Sequence, residues 1–427
     1  MEPPARAVAH LGRALRHRNF RLFLAGQTVS LCGTWITSVA TAWMVYRLTS
    51  SAFLLGVVGF VSQAPTALLA PVAGVWVDRW DRHRVLLVTQ LLAMAQSSAL
   101  AVFALTGTMT VGHLIVLGAL QGFINAFAIP ARQAFVVQMI DDRADLANAI
   151  ALNSSMVNGT RMIGPALAGV LVAAFGEGWC FAIDAISYLA VIVSLLAMRL
   201  TPVVPRPRHG SVWAELADGV RYVRGTPLVM AMLLMLAASS LLGMPYSTLM
   251  PAYTVERLGG DSHTLGFMVA ATGLGALAAA LYLASRRSVV GLGSVLARAT
   301  AAFGVALITL AVVRSPWLAA PALVVAGCGM MLQLAGTNTI VQSLVDEDKR
   351  GRVMSLYTLA FFGAAPLGAL LGGALAGQVG THVAIGLGGG ACMIIAVVFR
   401  AALPRLRAVS RPLYVAKGLL PPPDGPG

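Results

Sequence analysis

Asp184 and Arg161 lie well inside long apolar stretches, where a charge is unfavourable in a membrane unless it has a partner or a task. Asp184 is the only acid within such a stretch, and Arg161 lies near the middle of another. A carboxyl group in that setting is either a proton carrier or a hydrogen-bonded structural group. Arg161 is either a binding group for an anionic or polar substrate or a strut that joins helices by hydrogen bonds.

A short charged segment separates two apolar runs. It extends from Gly74 to Arg84 and contains Asp78, Arg79 and Arg82. A segment this short between two long apolar runs is the turn between two membrane-spanning helices. Its charges either anchor the turn at one side of the membrane or form ion pairs that close one conformational state.

The composition indicates a polytopic membrane protein. Of 427 residues, 58% are hydrophobic and 11% are charged, whereas soluble domains are nearer half apolar and a quarter charged. Apolar segments of about 20 residues recur along the chain. We therefore predict an all-α integral membrane protein with twelve spans. They lie near residues 21–46, 53–77, 85–106, 111–135, 146–175, 179–199, 227–253, 264–284, 289–313, 317–344, 353–376 and 382–400.

Most of the 30 lysines and arginines lie in the termini and in alternate loops. Because basic loops remain in the cytoplasm, we expect both termini there, in a multi-pass protein of the cell (inner or plasma) membrane. The same distribution argues against nucleic acid as a partner, since the basic residues share no soluble face. The four cysteines lie in apolar runs without metal-ligand spacing, so no metal site is expected.

The longest internal connection, residues 200–226, divides the chain into two halves. Prolines near its start resist helix formation, whereas apolar residues recur at helical spacing after Ser211, a plausible N-cap. The predicted parts are a cytoplasmic basic arm (1–20), an N-terminal six-helix bundle (21–199), a cytoplasmic linker with an interfacial helix (200–226), a C-terminal six-helix bundle (227–400) and a partly disordered cytoplasmic tail (401–427).

An internal repeat supports two pseudo-symmetric halves. Gln138 ends one predicted helix and is followed by acidic residues and a helix that contains Pro165. Gln342 ends another predicted helix and is followed by acidic residues and a helix that contains Pro366. Repeated bundles of six helices indicate a transporter with a site at their interface.

The charged turn also carries a family resemblance. The pattern Gly74-x-x-x-Asp78-Arg79-x-x-Arg82-x-Arg84 resembles the loop 2–3 signature of the major facilitator superfamily. Further stretches resemble one branch, the transmembrane secretion effectors related to the enterobactin exporter. These stretches are 15–23, 130–135, 146–154 and 351–357, and the likeness extends from about residue 12 to 405. The chain departs from the signature at position 81, where an aspartate replaces the usual glycine. It also has glycine at position 118, where proton-coupled drug exporters have arginine.

The resemblance implies a secondary active transporter that exports a small amphipathic molecule, a siderophore or drug-like compound, by alternating access and proton antiport. The expected partners are this substrate, membrane lipids and the proton gradient, and we expect a monomer without a cofactor. Isolated histidines argue against an enzyme. A lipid-like substrate, import instead of export, and a non-transporting membrane sensor remain open.

The resemblance also gives the charged turn a gating role. We expect the Asp78 carboxylate to cap the N-terminus of helix 11 near Arg352 when the inner gate is shut. Arg79, Arg82 and Arg84 are then available to pair with acids of the opposite half or with anionic lipid.

In this family helices 1, 4, 7 and 10 line the transport cavity. Polar groups that face lipid are unfavourable, so polar residues in these and neighbouring spans face inward, toward substrate or toward other helices. The candidates for substrate binding are Arg161, Gln27, Trp35, Gln121, Asn125, Asn153, Asn158, Tyr246, Gln333, Asn338 and Tyr357.

Overall fold

A computed structural model describes residues 13–140, 142, 145–199, 212–286, 288–417 and 419. Within helices, it describes the backbone alone at residues 70–72, 75, 78, 147, 158, 161, 162, 166, 212–216, 348 and 416. Over these ranges the fold is helical and contains no strand. The helices are α1 (Arg18–Thr49), α2 (Ala52–Arg79), α3 (Arg82–Leu105), α4 (Val111–Val136), α5 (Leu146–Phe175), α6 (Glu177–Leu196), α7 (Val212–Arg224), α8 (Pro227–Leu242), α9 (Pro245–Thr248), α10 (Met250–Glu256), α11 (Ser262–Ser285), α12 (Leu292–Val312), α13 (Pro316–Leu344), α14 (Glu347–Thr358), α15 (Ala364–Val379) and α16 (Thr381–Ala416).

The helices have the lengths that a bilayer requires. Eleven helical segments in the described ranges are long and apolar enough to cross a membrane. Helix α5 corresponds to the predicted fifth span, and its apolar part is Ile163–Phe175. The eleven segments and α5 together correspond, in the same order along the chain, to the twelve predicted spans. The fold class predicted from the sequence, an all-α integral membrane protein, is therefore confirmed.

Two predicted spans are interrupted. The predicted seventh span, 227–253, is divided into α8, α9 and α10, and both short helices have a proline in their first turn, Pro245 and Pro251. Proline lacks the amide hydrogen that a continuous helix needs, so the segment breaks at these points. The predicted eleventh span contains a π-helical turn, Leu359–Gly363, between α14 and α15.

The last helix is longer than predicted. Helix α16 continues past residue 400, where the predicted span ends, and reaches Ala416. Leu403 is buried beyond that point, and Leu406, Leu413 and Tyr414 pack against the same apolar cluster. Burial of this apolar stripe explains why the first part of the predicted tail is helical. Residues 420–427, the remainder of the tail that the sequence predicts to be partly disordered, lie outside the described ranges.

The chain divides into two compact units. The first unit comprises Met1–Thr49 and Val61–His209, and the second comprises Ser50–Phe60 and Gly210–Gly427. Helix α7 occupies the linker position at which helical spacing was predicted, while Ser211, the predicted N-cap, lies outside the described residues.

The described part of the basic arm packs against the first unit. Residues Arg13–Arg16 form a short 3₁₀ helix, and Ala14 and Phe20 are fully buried in the apolar core of that unit. The backbone amide of Ala14 donates to Asn148 Oδ1 at 3.0 Å, and His17 Nε2 lies 3.2 Å from Asp145 Oδ2. These contacts attach the arm to the start of α5.

Candidate functional site

A polar cavity of about 60 Å³ lies inside the first unit. Helices α1, α3, α4 and α6 form its walls. Its polar side chains are Gln27, Ser30, Thr34, Gln90, Gln121, Asn125, Arg132 and Tyr188. Burial of polar groups is unfavourable unless each finds a hydrogen-bond partner. A volume of this size accommodates about two water molecules, which supply such partners.

Two amide groups of this cavity lack partners within the described part of the chain. Gln27 is 3% exposed, and its Nε2 atom makes no hydrogen bond there. Gln121 Nε2 donates to Asn125 Oδ1 at 3.2 Å, but the buried Gln121 Oε1 accepts no hydrogen bond. A buried polar atom left unpaired costs about 1–3 kcal/mol, so both atoms require water or a ligand in the cavity.

Arg132 contributes a positive charge to the cavity wall. It lies inside α4, within the fourth span that the sequence predicts at 111–135. At 1.5 Å per residue it lies about 30 Å from the first residue of α4, close to the far end of a bilayer-spanning helix. The side chain is half-buried and makes no hydrogen bond or ion pair with the described residues.

Asp184 is buried on α6, next to the cavity. Its side chain is 1% exposed, and Ser97 Oγ of α3 donates to its Oδ2 atom at 2.7 Å. At Gly33 of α1, an added Cβ would lie 2.6 Å from Asp184 Oδ1 and 2.4 Å from Ser187 Oγ. Glycine at this position therefore allows α1 to approach the carboxyl group. Asp184 lies about 10 Å along α6 from its first residue.

Tyr188 connects Asp184 to the cavity. It lies one helical turn after Asp184, so the two side chains share a face of α6. The Tyr188 hydroxyl is 3.4 Å from Thr34 Oγ1, and both side chains line the cavity. The carboxyl group that the sequence predicts for proton coupling thus lies one turn from a polar cavity.

The polar groups of the second unit mostly pair with one another. Gln333 Nε2 donates to Met235 O at 3.3 Å and to Ser239 Oγ at 2.9 Å. The Tyr357 hydroxyl donates to Leu334 O at 3.0 Å, and Asn338 Oδ1 accepts a hydrogen bond from Gln342. The cavity beside Gln333 measures about 10 Å³, barely the space of one water molecule.

The other substrate-binding candidates are dispersed. Tyr246 is buried with its ring 5.7 Å from that of Phe303. Trp35 packs against α5, where a Cβ at Gly164 would lie 2.5 Å from Trp35 Cβ. Asn153 Oδ1 is buried and accepts no hydrogen bond from the described residues. The side chains of Arg161 and Asn158 lie outside the described part of the structure. The first-unit cavity therefore contains three candidates: Gln27, Gln121 and Asn125.

The predicted gating residues lie in two places. In the charged turn, Arg82 Nη1 donates to Ala134 O at 3.3 Å, whereas Arg79 is exposed. Arg84 lies 3.7 Å from Asp81 Oδ2. The Asp78 side chain is outside the described part, so its predicted contact with helix 11 remains a prediction.

Asp81, which departs from the family pattern, is the N-cap of α3. Its carboxylate accepts hydrogen bonds from the backbone amides of His83 and Arg84 at 2.9 and 3.3 Å. These bonds satisfy amides that the first turn of a helix leaves unpaired. The aspartate therefore supplies a cap that the usual glycine lacks.

Arg352 forms an ion pair with Asp218 of the linker helix α7. Lys349 Nζ lies 3.2 Å from Asp218 Oδ2, and its hydrogen bond, with the positive charge of Arg352, lowers the pKa of Asp218. Nearby, Asp346 accepts hydrogen bonds from Tyr222 of α7 at 3.1 Å and from Lys417 at 2.6 Å. This network connects the linker helix and the C-terminal end of α16 to the start of α14.

Sequence reasoning missed several members of these sites. Gln90, Ser97, Thr34 and Tyr188 are polar residues in apolar spans, and that signal is visible in the sequence. The resemblance directed attention to spans 1, 4, 7 and 10, whereas the cavity also uses α3 and α6. The pairing of Asp218 with Arg352 had no sequence signal, because the two residues are more than 130 positions apart.

A family model and several relatives match nearly the whole chain. The model, described as transmembrane secretion effector, matches residues 12–421. The staphyloferrin A transporter of Staphylococcus aureus is 26% identical over 358 residues, 82% of this chain and 88% of the relative. The multidrug efflux pump Tap of Mycolicibacterium fortuitum is 26% identical over 400 residues, 90% and 96% of the two chains. The enterobactin exporter EntS of Salmonella typhimurium is 24% identical over 396 residues, 92% and 94% of the two chains.

Solved structures share the fold. The crystal structure of the nucleoside transporter NupG superposes with a TM-score of 0.70 at 14% sequence identity, and the match covers 92% of this chain and 99% of NupG. At that identity the likeness concerns the fold alone. The family that the charged turn indicated is confirmed by the family model and by the relatives. The chain belongs to the transmembrane secretion effectors, which are membrane transporters of the major facilitator type and not enzymes.

Proposed function

We propose that this transporter is a secondary active exporter of small amphipathic molecules, driven by the proton gradient through alternating access. The observation that carries the proposal is the position of Asp184. A carboxyl group that is 1% exposed inside a membrane-spanning helix lies one turn from a polar cavity. An acid in the membrane is costly to retain, and reversible protonation gives it a use.

Relatives support the class of substrate. Their names specify staphyloferrin A, enterobactin and multiple drugs, so a siderophore or a drug-like compound is the proposed cargo. In the conformation described here the first-unit cavity measures about 60 Å³, below the roughly 300–1,000 Å³ of sites that hold drug-sized ligands. We therefore propose that Gln27 and Gln121 bind water. Among the described candidates outside this cavity, Asn153 has a buried oxygen without a partner, which supports a substrate contact.

The proposed orientation has both termini in the cytoplasm. The basic residues of the arm, the charged turn, the linker and the terminal segment support it. The same orientation places Arg132 near the cytoplasmic end of α4 and Asp184 nearer the outer surface.

The test is transport into inverted membrane vesicles that contain the protein. Labelled staphyloferrin A, labelled enterobactin and a fluorescent drug-like dye are supplied outside, with and without an inward-acid pH gradient. We expect saturable accumulation of at least one compound that requires the gradient. In Asp184→Asn vesicles with equal amounts of inserted protein, we expect roughly tenfold less accumulation, since the coupling proton has no carrier.

Other outcomes identify the alternatives. Gradient-dependent efflux of the probes from preloaded inverted vesicles indicates an importer. Absence of flux for all three, with accumulation of a fluorescent lipid, indicates a lipid-like substrate. Absence of all flux indicates a sensor. If accumulation is normal in Asp184→Asn vesicles, transport stands but Asp184 is not the proton carrier.

A further inference from the structure

The first unit contains a line of hydroxyl groups between Asp184 and its polar cavity. On α1, Ser30, Thr34 and Thr37 are spaced three or four residues apart and so share one helix face. Helix α6 faces them with Asp184 and Tyr188. The Tyr188 hydroxyl lies 3.4 Å from Thr34 Oγ1, and Ser30, Thr34 and Tyr188 all line the cavity.

Unpaired polar atoms along this line indicate water. Gln27 Nε2 and Gln121 Oε1 are buried and make no hydrogen bond with the described residues, while the buried Thr37 hydroxyl lies within hydrogen-bonding reach of the Asp184 carboxyl group. A dry apolar cavity would lack such groups, whereas water needs two to four polar partners and finds them here. Space for about two water molecules lies beside a row of hydroxyl groups that can donate and accept.

We propose that the first unit carries its own proton path, in which Asp184 exchanges its proton with cavity water through the hydroxyls of Thr37, Thr34 and Tyr188. The inference rests on the proposed function, because it takes Asp184 as the group that carries the coupling proton. It goes further in assigning the route of the proton. In the conformation described here the cavity measures about 60 Å³, which suits water and not a drug-sized substrate, so we place the proton path apart from the substrate contacts.

The transfer conserves protons at each step. The protonated Asp184 gives its proton to the nearest hydroxyl or water oxygen, and that oxygen gives its own proton to the next acceptor. Each new O–H bond forms as the preceding one breaks. One proton leaves the carboxyl group, one enters the cavity water, and Asp184 remains as a carboxylate. The path ends toward Arg132, at the end of the cavity that we propose to be cytoplasmic.

The surroundings of Asp184 contain few other ionisable groups. Ser97 faces it from α3, Gly33 and Thr37 face it from α1, and Cys180 and Tyr188 lie one turn before and after it on α6. Glu177 lies two turns earlier on α6 and pairs with Arg47 at 3.0 Å. Arg161 of α5 has a side chain outside the described part, and Arg132 lies at the far end of the cavity. The groups that control proton exchange at this site must therefore be identified with substituted variants, because the pH dependence of exchange would not distinguish them.

The experiment measures hydrogen–deuterium exchange of the Asp184 carboxyl by infrared spectroscopy on the purified protein in lipid. The carbonyl band of the protonated acid is identified by its loss in Asp184→Asn. Transfer from H2O to D2O shifts this band, and the shift rate reports access of water to the carboxyl. No substrate is needed, so the result does not depend on the cargo.

Two variants test the route. Tyr188→Phe and Thr37→Val each remove one hydroxyl while the side chain keeps nearly its shape. We expect exchange roughly tenfold slower in both, because one missing hydroxyl interrupts a hydrogen-bonded chain. The matched controls are Thr28→Val on α1, whose exposed hydroxyl bonds to Leu24 O, and Tyr253→Phe in the second unit, whose hydroxyl bonds to Leu310 O. Both controls should exchange at the wild-type rate.

Three results would overturn the path. Equal exchange rates in wild type, Tyr188→Phe and Thr37→Val would exclude these hydroxyls. A slowing that also occurs in Thr28→Val would indicate a general structural effect. Absence of a protonated Asp184 band at any pH between 5 and 8 would mean that no proton is available for exchange. Because exchange is measured without transport, the experiment can exclude this proton path without excluding proton-driven export.

Discussion

Asp218 of the linker helix and Arg352 at the start of α14 form an ion pair across 134 residues of sequence. Lys349 lies 3.2 Å from the same carboxylate oxygen. The arginine that sequence reasoning assigned to a gate with Asp78 is therefore held by the linker. If Arg352 acts in the predicted gate, the linker helix that bonds to it can bias the position of the gate, so this contact is a proposed point of control.

The first prediction concerns the stability that this contact supplies. Lys349 and Arg352 lower the pKa of Asp218, so the carboxylate stabilises the fold above the ordinary aspartate pKa and loses that contribution as the pH falls through the lowered value. Thermal unfolding of the wild type should therefore occur at a slightly higher temperature than that of Asp218→Asn at pH 7. The two curves should converge only as the pH falls below the lowered pKa of Asp218, which lies under the ordinary aspartate value of about 3.9. Identical curves at every pH would show that the contact is energetically neutral.

The second prediction separates gating from capping within the charged turn. Asp78→Asn should reduce transport severalfold while leaving the amount of inserted protein unchanged, because the amide keeps capping hydrogen bonds but loses the charge attraction to Arg352 that the proposed gate requires. Asp81→Asn is the matched control. Asparagine caps a helix about as well as aspartate, so the cap of α3 should survive. If Asp78→Asn and Asp81→Asn both transport at the wild-type rate, Asp78 has no gating role and serves only to hold the turn at the membrane surface.

The third prediction concerns the close approach of α1 to Asp184. Gly33→Ala would place a methyl carbon within 2.6 Å of the Asp184 carboxylate and 2.4 Å of the Ser187 hydroxyl. The helices must separate, at a cost of about 1–3 kcal/mol, and the proposed transport should fall with the loss of this geometry. Thermal unfolding and vesicle transport measure the two effects. Gly390→Ala in α16 has open space around it and should retain both stability and transport.

The fourth prediction tests whether Arg132 is retained at the expense of stability. Its half-buried guanidinium has no partner among the described residues, and a charge without a partner in such a place costs several kcal/mol. Arg132→Leu should therefore raise the unfolding temperature and lower proton-driven transport. Arg298→Leu, which changes an exposed arginine of α12, should leave transport unchanged. If Arg132→Leu changes neither the unfolding temperature nor the transport rate, the guanidinium has no role in proton movement and simply extends to the lipid headgroups.

The fifth prediction concerns orientation in the membrane. Arg84→Cys, at a side chain that is 85% exposed, should react with a membrane-impermeant maleimide in inverted vesicles and not in intact cells. Arg314→Cys, in the loop between α12 and α13, should show the opposite pattern. The native cysteines lie within the spanning helices, so the unmodified protein provides the background signal. Labelling of both variants from the same side would contradict the proposed topology.

Much of the architecture is encoded locally and was readable from the sequence. Every backbone amide and carbonyl in a bilayer must be paired within its own segment, so apolar runs of about 20 residues predict helices one by one. The linker helix followed from the spacing of apolar residues after Ser211, and the family followed from a charged turn of eleven residues. Asp184 stood out because an acid in an apolar span is conspicuous without any knowledge of its neighbours.

The sites depended on which helix faces meet, and that is decided by tertiary packing. Gln27 and Gln121 share a cavity with Arg132 because α1 and α4 present those faces to α3 and α6. Gln333 and Gln27 have the same side chain but different surroundings. The amide nitrogen of Gln333 donates to nearby oxygens, whereas that of Gln27 has no such partner among the described residues. The continuation of α16 past residue 400 and the pairing of Asp218 with Arg352 likewise rest on contacts with distant segments. Hydropathy is a property of single segments, whereas the rotation of each helix against its neighbours is a property of the packed bundle. The sequence by itself therefore determined the spans, their order and the family, and the tertiary structure alone decided which polar side chains meet.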